Sequence, residues 1–247
     1  MRAYAIGDIH GQLAKLKRAH VLIEADRAEV EDDTAPVVHI GDLPDRGPDT
    51  KGVIDFLING QKAGEPWVVL KGNHDRMMAW FLQIPPRRDH CLRAEFEWLH
   101  PRLGGQESLA SYGVDIAAGR PIDDLQRDAV ARIPGAHKDF LDGLPTSYRH
   151  GAVFFCHAGI RPGVALDNQT EDDLLWIRQP FHASKADHGA LIVHGHTPVD
   201  AVTHYGNRVN IDTGAGYGKA ISAIVIEGRE IWLLTDQGRV PVSACRT

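Results

Sequence analysis

Cysteine is scarce in this chain of 247 residues, and the three that occur, Cys91, Cys156 and Cys245, are odd in number and far apart. A disulfide framework and a thiolate metal site are therefore both excluded as expectations. Cys156 closes an apolar run and is expected to pack inside a strand. No apolar run approaches the roughly 18 residues needed to span a bilayer, and the N-terminus leads into a strand with no signal-peptide pattern. The expected location is cytoplasmic, with no membrane partner. Basic charge is not in excess either: the formal net charge is −6, which argues against a nucleic-acid partner. The basic clusters at Lys15–Arg18 and Arg87-Arg88 read as solvated faces. Internal repeats and low-complexity linkers are absent. With 43% hydrophobic and 24% charged residues, a single soluble globular domain over 1–247 is expected, and no oligomeric state is implied.

Histidine, by contrast, is abundant, with 14 residues, several at the ends of apolar runs. The run Val37–Ile40 is short, β-branched and bounded by Pro36 and Gly41, as a buried strand would be. It is followed by Gly41-Asp42-Leu43-Pro44-Asp45-Arg46-Gly47-Pro48. At a strand's carboxyl end Asp42 could bind a metal, Asp45 could orient an imidazole, and the planar fork of Arg46 could grip two phosphate oxygens. Asp, Gly and Pro also build ordinary strand-to-helix turns, so the octet counts only if other stretches answer it.

They do. Arg2–Ile6 reads as a strand leading to Gly7-Asp8-Ile9-His10-Gly11, then a helix with Leu13, Leu16 and Ile23 on one stripe. Asp8 and His10, two apart in an extended segment, would point to one side and suit an oxygen and a nitrogen ligand. After a helix with Val53, Ile54, Leu57 and Ile58 that ends near Asn59-Gly60, Trp67–Leu70 forms a third strand before Gly72-Asn73-His74-Asp75. There Asn73 can offer a carbonyl oxygen to metal while His74, on the opposite side of an extended segment, is a candidate acid. This strand and helix alternation predicts a βαβαβ unit whose ligands gather outside the strands' carboxyl ends.

A mainly helical insert is expected over about 76–144, with Met77, Met78, Phe81 and Leu82 on one helix and Phe96, Trp98 and Leu99 on another. It would border the site. The second half is richer in strand: Ala152–Cys156 runs into His157, Leu191–Val193 into His194-Gly195-His196, and Val209–Ile211 into Asp212. Ile221–Ile226 and Ile231–Leu234 form a hairpin through Glu227-Gly228-Arg229. Histidines at two strand ends, added to three Asx-bearing ends, predict a metal site, with His194 and His196 both open as ligands.

In order, GDIHG at Gly7, GDxxDRG at Gly41, GNHD at Gly72, HAG at His157 and GHT at Gly195 resemble the motif set of phosphoprotein phosphatases within the calcineurin-like metallophosphoesterases. The similarity to the bacterial and phage branch extends through Gly104–Gly113, Leu174–Arg178 and Ile211–Ala215, covering nearly the whole chain. The resemblance implies an α/β fold, an αββα four-layer sandwich of two mixed β-sheets flanked by helices. It implies that Asp8 and His10 bind one metal, that Asp42 bridges, and that Asn73, His157 and His196 bind the second, selecting His196 over His194. Pro44 departs from the aliphatic or aromatic residue usual there.

The activity so implied is a metal-dependent hydrolysis of phosphoserine or phosphothreonine, and of phosphotyrosine, in a phosphoprotein or phosphopeptide substrate. Two divalent ions, with Mn²⁺ favoured and Fe or Zn as alternatives, suit a thiolate-free ligand set. Held about 3.5–4 Å apart, they would lower the pKa of a bridging water toward roughly 7, and that hydroxide would attack phosphorus. Arg46 and Arg178 would clamp the phosphate, and His74, oriented by Asp45, would protonate the leaving alkoxide. The alternative enzyme is a symmetrical bis(5'-nucleosyl)-tetraphosphatase, whose version of the octet usually lacks the aspartate. A cyclic-nucleotide phosphodiesterase is disfavoured by Pro198, where such relatives carry a further histidine. A metal-stabilised binding protein would need neither arginine nor His74.

Overall fold

The computed structural model describes residues 1–245. The chain begins β1 (Arg2–Ile6), α1 (Leu13–Val30), β2 (Val37–His39), α2 (Thr50–Lys62), β3 (Trp67–Val69) and α3 (Asn73–Phe81). The three strands are the expected apolar runs and pair in parallel, with Ile6 opposite His39 and His39 opposite Val69. Their carboxyl ends therefore open on the same edge, and the three Gly-Asx turns lie side by side. The helix α2 continues past Asn59-Gly60 to Lys62.

The insert holds α4 (Gly105–Ser111), α5 (Ile122–Arg132) and α6 (Gly135–Gly143). The helix expected to carry Phe96, Trp98 and Leu99 does not form, because residues 82–104 fold as successive turns. Pro85, Pro86 and Pro101 deny the segment amide donors and push their neighbours out of helical geometry. In place of a helical ladder, the Arg88 guanidinium donates to the carbonyl oxygens of Leu92, Arg93 and Phe96.

The second half runs β4 (Ser147–His150), β5 (Val153–Cys156), α7 (Glu171–Trp176), β6 (Leu191–His194), β7 (Thr203–His204), β8 (Arg208–Asn210), β9 (Ala223–Glu227), β10 (Glu230–Thr235) and β11 (Gly238–Pro241). One sheet of six strands has the order β11-β10-β9-β1-β2-β3, and one of five has the order β4-β5-β6-β8-β7. Both are mixed: β9 lies antiparallel to β1, and β4 antiparallel to β5, beside the parallel pairs. The unexpected strands β4, β7 and β11 are all sheet edges. These three edge strands carry no apolar run to announce them, unlike β3, which lies at the other edge of the larger sheet.

Period-two alternation sorts the strands into layers. From β1, Ala3 and Ala5 face the second sheet, where they join Val38, Ile40, Ile224, Phe155, Val193 and Val209. Tyr4 and Ile6 turn the other way, onto Leu16 and Ile23 of α1 and Val53 and Leu57 of α2. On the far side, Phe154, Cys156 and Ile192 pack under Leu174, Ile177 and Phe181. The result is the αββα sandwich. Each fully buried aromatic or branched side chain contributes about 1.5–3 kcal/mol, so the rigid parts are the strands that aim the turns. No helix among the described residues is long and apolar enough to cross a membrane.

Candidate active site

Backbone strain marks the edge where the turns meet. His10, Asp42, Asp45, Arg46 and His196 have φ of +49°, +52°, +75°, +66° and +67°, and the remaining non-glycine at positive φ among the described residues, Glu31, caps α1. Such a conformation costs an L-residue on the order of 1–3 kcal/mol, a cost the strands on either side must offset. It also overrides the extended geometry expected for Asp8 and His10. His10 turns toward Asp42, its Nε2 lying 3.5 Å from Oδ2, while Asp8 accepts the His196 backbone N–H at 3.1 Å. Asn73-His74 is likewise not extended but is the first turn of α3. His194 and His196 part company because His196 leaves the extended region: His194 lies against Arg208 and Phe181, and His196 turns into the site.

Lone pairs converge here. His157 Nδ1 faces the Ile40 carbonyl oxygen and His10 Nδ1 faces that of Pro44, each at 3.0 Å. A carbonyl only accepts, so both Nδ1 atoms carry the proton and both Nε2 atoms present a lone pair inward. His157 Nε2 lies 2.9 Å from Asn73 Oδ1 and 3.3 Å from Asp42 Oδ1, and His196 Nδ1 lies 2.8 Å from the same Asn73 oxygen. His196 Nε2 is buried with no partner among the described residues. Burial holds His10, His157 and His196 below their ordinary pKa, so they stand neutral and ready to ligate.

The carboxylates repeat the demand for positive charge. Burial, then Asp212 and Asp42, pushes Asp8 well up, and burial raises Asp212 to about 6. Burial opposes the charge on Asp42 as well, and only positive charge on its neighbours, His157 first and then His74, His10 and His196, draws its pKa below the usual value; with His10, His157 and His196 neutral, that charge is left for a cation to supply. Space is reserved too, since a Cβ on Gly72 would overlap Asp42 and one on Gly195 would overlap Asp8. Two ligand groups, His10-Asp42-His74 and Asp42-His157-His196, share Asp42. Acceptor-only oxygens and neutral imidazoles at this density fit divalent cations and little else. Asp8, Asn73 and Asp212 line the same space.

Beside them, His74 Nδ1 donates to Asp45 Oδ2 at 2.5 Å, and His74 Nε2 faces the Arg46 guanidinium at 3.1 Å. The Arg46 guanidinium also reaches His10 and lies 4.8 Å over the ring of Tyr217, which is 65% exposed. Arg178 follows α7, whose Trp176 meets the His196 ring edge-on at 5.9 Å. The Arg178 guanidinium has no ion pair or hydrogen bond among the described residues, and its pKa is lowered by burial and then by Arg93.

A family model for calcineurin-like phosphoesterases matches residues 1–225. The chain belongs to that family. Calcineurin-like phosphoesterases are hydrolases that bind two divalent metal ions. The asymmetrical bis(5'-nucleosyl)-tetraphosphatase PrpE of Geobacillus thermodenitrificans is 27% identical over 232 residues, covering 89% of this chain and 88% of that protein. Serine/threonine-protein phosphatase 1 of Salmonella typhimurium is 26% identical over 233 residues, covering 91% of each. Among solved structures, a cold-active protein-tyrosine phosphatase of a psychrophilic Shewanella shares the fold, with TM-score 0.62 and 17% identity over 98% of this chain and 80% of that one.

Several residues escaped the sequence reading. Asp212 is placed by the sequence at a strand end after Val209–Ile211 but given no part in the site, although the rule that singles out Asp8 and Asp42 applies to it equally. Asp75 accepts backbone N–H groups of Asp42, Leu43 and Gly72 at 2.8, 3.1 and 2.7 Å, tying two turns together. Trp98 and Ser108 reach Asp45 from the insert, and no local pattern announces them.

Proposed function

We propose that this calcineurin-like phosphoesterase is a protein phosphatase acting on phosphoserine and phosphothreonine. The observation that carries the reading is the buried Asp45-His74 pair, set beside Arg46 at the mouth of the ligand cluster. Asp8, His10, Asp42, Asn73, His157 and His196 would hold two divalent ions, Mn²⁺ being the one to supply. When bound, such ions activate water near neutral pH and polarise phosphoryl oxygens. The side chains do the rest. Arg46 and Arg178 each offer a fork of N–H donors to the non-bridging oxygens, neutralising charge and fixing the phosphorus in place. His74, with Nδ1–H held by Asp45, would carry a second proton on Nε2 and present that N–H to the leaving oxygen. A serine or threonine departs as a strongly basic alkoxide, so a proton delivered there contributes about 10²–10⁴-fold. A nucleotide phosphate is already a stable leaving group and gains much less from the same pair.

A second reading has its own support. The exposed Tyr217 ring stacked on Arg46 offers a face to a nucleobase, and relatives are named asymmetrical, not symmetrical, tetraphosphatases. The deciding measurement is kcat/KM with Mn²⁺ on a phosphoserine peptide and on diadenosine tetraphosphate, with the nucleotide products resolved. Preference for the peptide supports the phosphatase. A preference of about 10²-fold for the dinucleotide, some 2.7 kcal/mol of transition-state discrimination, overturns it; AMP with ATP marks the asymmetrical cut and two ADP the symmetrical one.

A further inference from the structure

The strand-end turns do not hold the proton-donor pair alone. Asp45 is wholly buried, and its carboxylate carries three side-chain hydrogen bonds: from His74 Nδ1 at 2.5 Å, Trp98 Nε1 at 2.8 Å and Ser108 Oγ at 2.7 Å. Two of these donors belong to the insert, and the grip continues along the backbone. The Asp45 N–H donates to Ser108 Oγ at 2.7 Å, and the Arg46 N–H donates to the Gly104 carbonyl oxygen at 3.1 Å. Ser108 is itself braced by the Thr50 hydroxyl at 2.9 Å.

The two oxygens of Asp45 are used differently. His74 and Trp98 share Oδ2, while Ser108 takes Oδ1. With donors fixed at both ends, the carboxylate cannot rotate about its own bond without losing one, and the imidazole it holds is aimed by the same constraint. An aspartate on a strained turn with histidine as its sole partner would have no such brace.

We propose that Trp98 and Ser108 are positioning residues that lock the Asp45 carboxylate and thereby aim His74 at the leaving-group oxygen. The proposal rests on His74 being the proton donor. It makes the hydrolysis of esters with basic leaving groups depend on the insert, while esters with good leaving groups depend on it less. A merely structural role predicts something else. Trp98 also packs against Phe81, with ring centroids 4.8 Å apart, and lost packing would slow every substrate alike.

The test uses the Mn²⁺-loaded protein with a phosphoserine peptide and p-nitrophenyl phosphate, measuring kcat and KM separately. Trp98→Phe keeps an aromatic ring against Phe81 and so spares the adjoining cavity of about 140 Å³ from a large expansion; Ser108→Ala and Ser108→Thr test the hydroxyl independently. Trp98→Phe and Ser108→Ala should lower kcat on the peptide roughly ten- to hundredfold, the scale of a small misplacement. The loss on p-nitrophenyl phosphate should be clearly smaller, KM should hold, and Ser108→Thr should restore the rate. In a His74→Asn background neither substitution should cost a further factor on the peptide. Equal losses on both substrates, or losses that multiply with His74→Asn, overturn the positioning role and leave the proposed function standing. If His74→Asn alone slows both substrates equally, the proton-donor reading fails and takes this inference with it.

Discussion

His157 Nε2 and Asn73 Oδ1 face each other at 2.9 Å as two lone pairs, because the proton of His157 is already committed to the Ile40 carbonyl oxygen. Two buried acceptors in contact repel unless a cation lies between them. Protein purified without chelator and resupplied with Mn²⁺ should therefore approach two ions per chain by elemental analysis, and chelation should abolish phosphatase activity. Ion at 100 times its dissociation constant should stabilise the fold by about 2.7 kcal/mol per site. A melting temperature indifferent to Mn²⁺ and chelator would sink the assignment of these residues as ligands.

Arg178 should act on phosphate and not on metal. Its guanidinium lacks a partner among the described residues, and a charge-assisted hydrogen bond is worth about 1.5–3 kcal/mol. Arg178→Ala should raise KM, or the inhibition constant of inorganic phosphate, roughly 10- to 150-fold on that scale, with two ions still bound. Unaltered phosphate affinity would show it to be an ordinary surface arginine.

What the sequence made legible follows from how each signal is written in the chain. Asp8, Asp42, Asn73 and His157 stand within three residues of the end of an apolar run, so period and punctuation marked them as candidates before any contact was known. The strain at His10 and His196 was not legible, because left-handed backbone at a non-glycine is imposed by the surrounding strands. For the same reason spacing alone could not separate His194 from His196, and the family resemblance did. The edges β4, β7 and β11 lacked an apolar run to betray them. Trp98 and Ser108 act on Asp45 across 53 and 63 residues of sequence, and proximity of that kind exists only after folding.

Asp75 should prove structural for the site. It is fully buried and satisfies three backbone N–H groups from two turns, each worth about 1–3 kcal/mol if orphaned. Asp75→Ala should cost about 3–5 kcal/mol in total and weaken metal binding, since Asp42 is among the residues released. Denaturant unfolding and metal titration check both; a variant as stable as the parent would mean that water or local rearrangement replaces the carboxylate.

A second pair of histidines, outside the site, should contribute to the response of the fold to acid. His20 Nε2 and His39 Nε2 lie 3.0 Å apart between Phe56 and Trp67. Burial, and then the neighbouring His39 and Arg27, lowers His20 to about 2, while burial lowers His39 to about 4. A folded-state pKa below the unfolded value near 6.5 means that the unfolded chain binds the proton first. The stability these rings lend to the neutral fold is thus whole above pH 6.5 and is lost as pH falls toward the folded values. From His39 alone the loss between pH 6.5 and 4 is about 3 kcal/mol, at 1.36 kcal/mol for each pKa unit. Metal-loaded protein should therefore unfold more readily with each step down in that window. The double variant His20→Leu/His39→Leu removes both titrations and leaves neither ring to protonate, so its unfolding free energy should vary less with pH than the parent's. Parallel curves for parent and variant would assign the acid sensitivity to other groups.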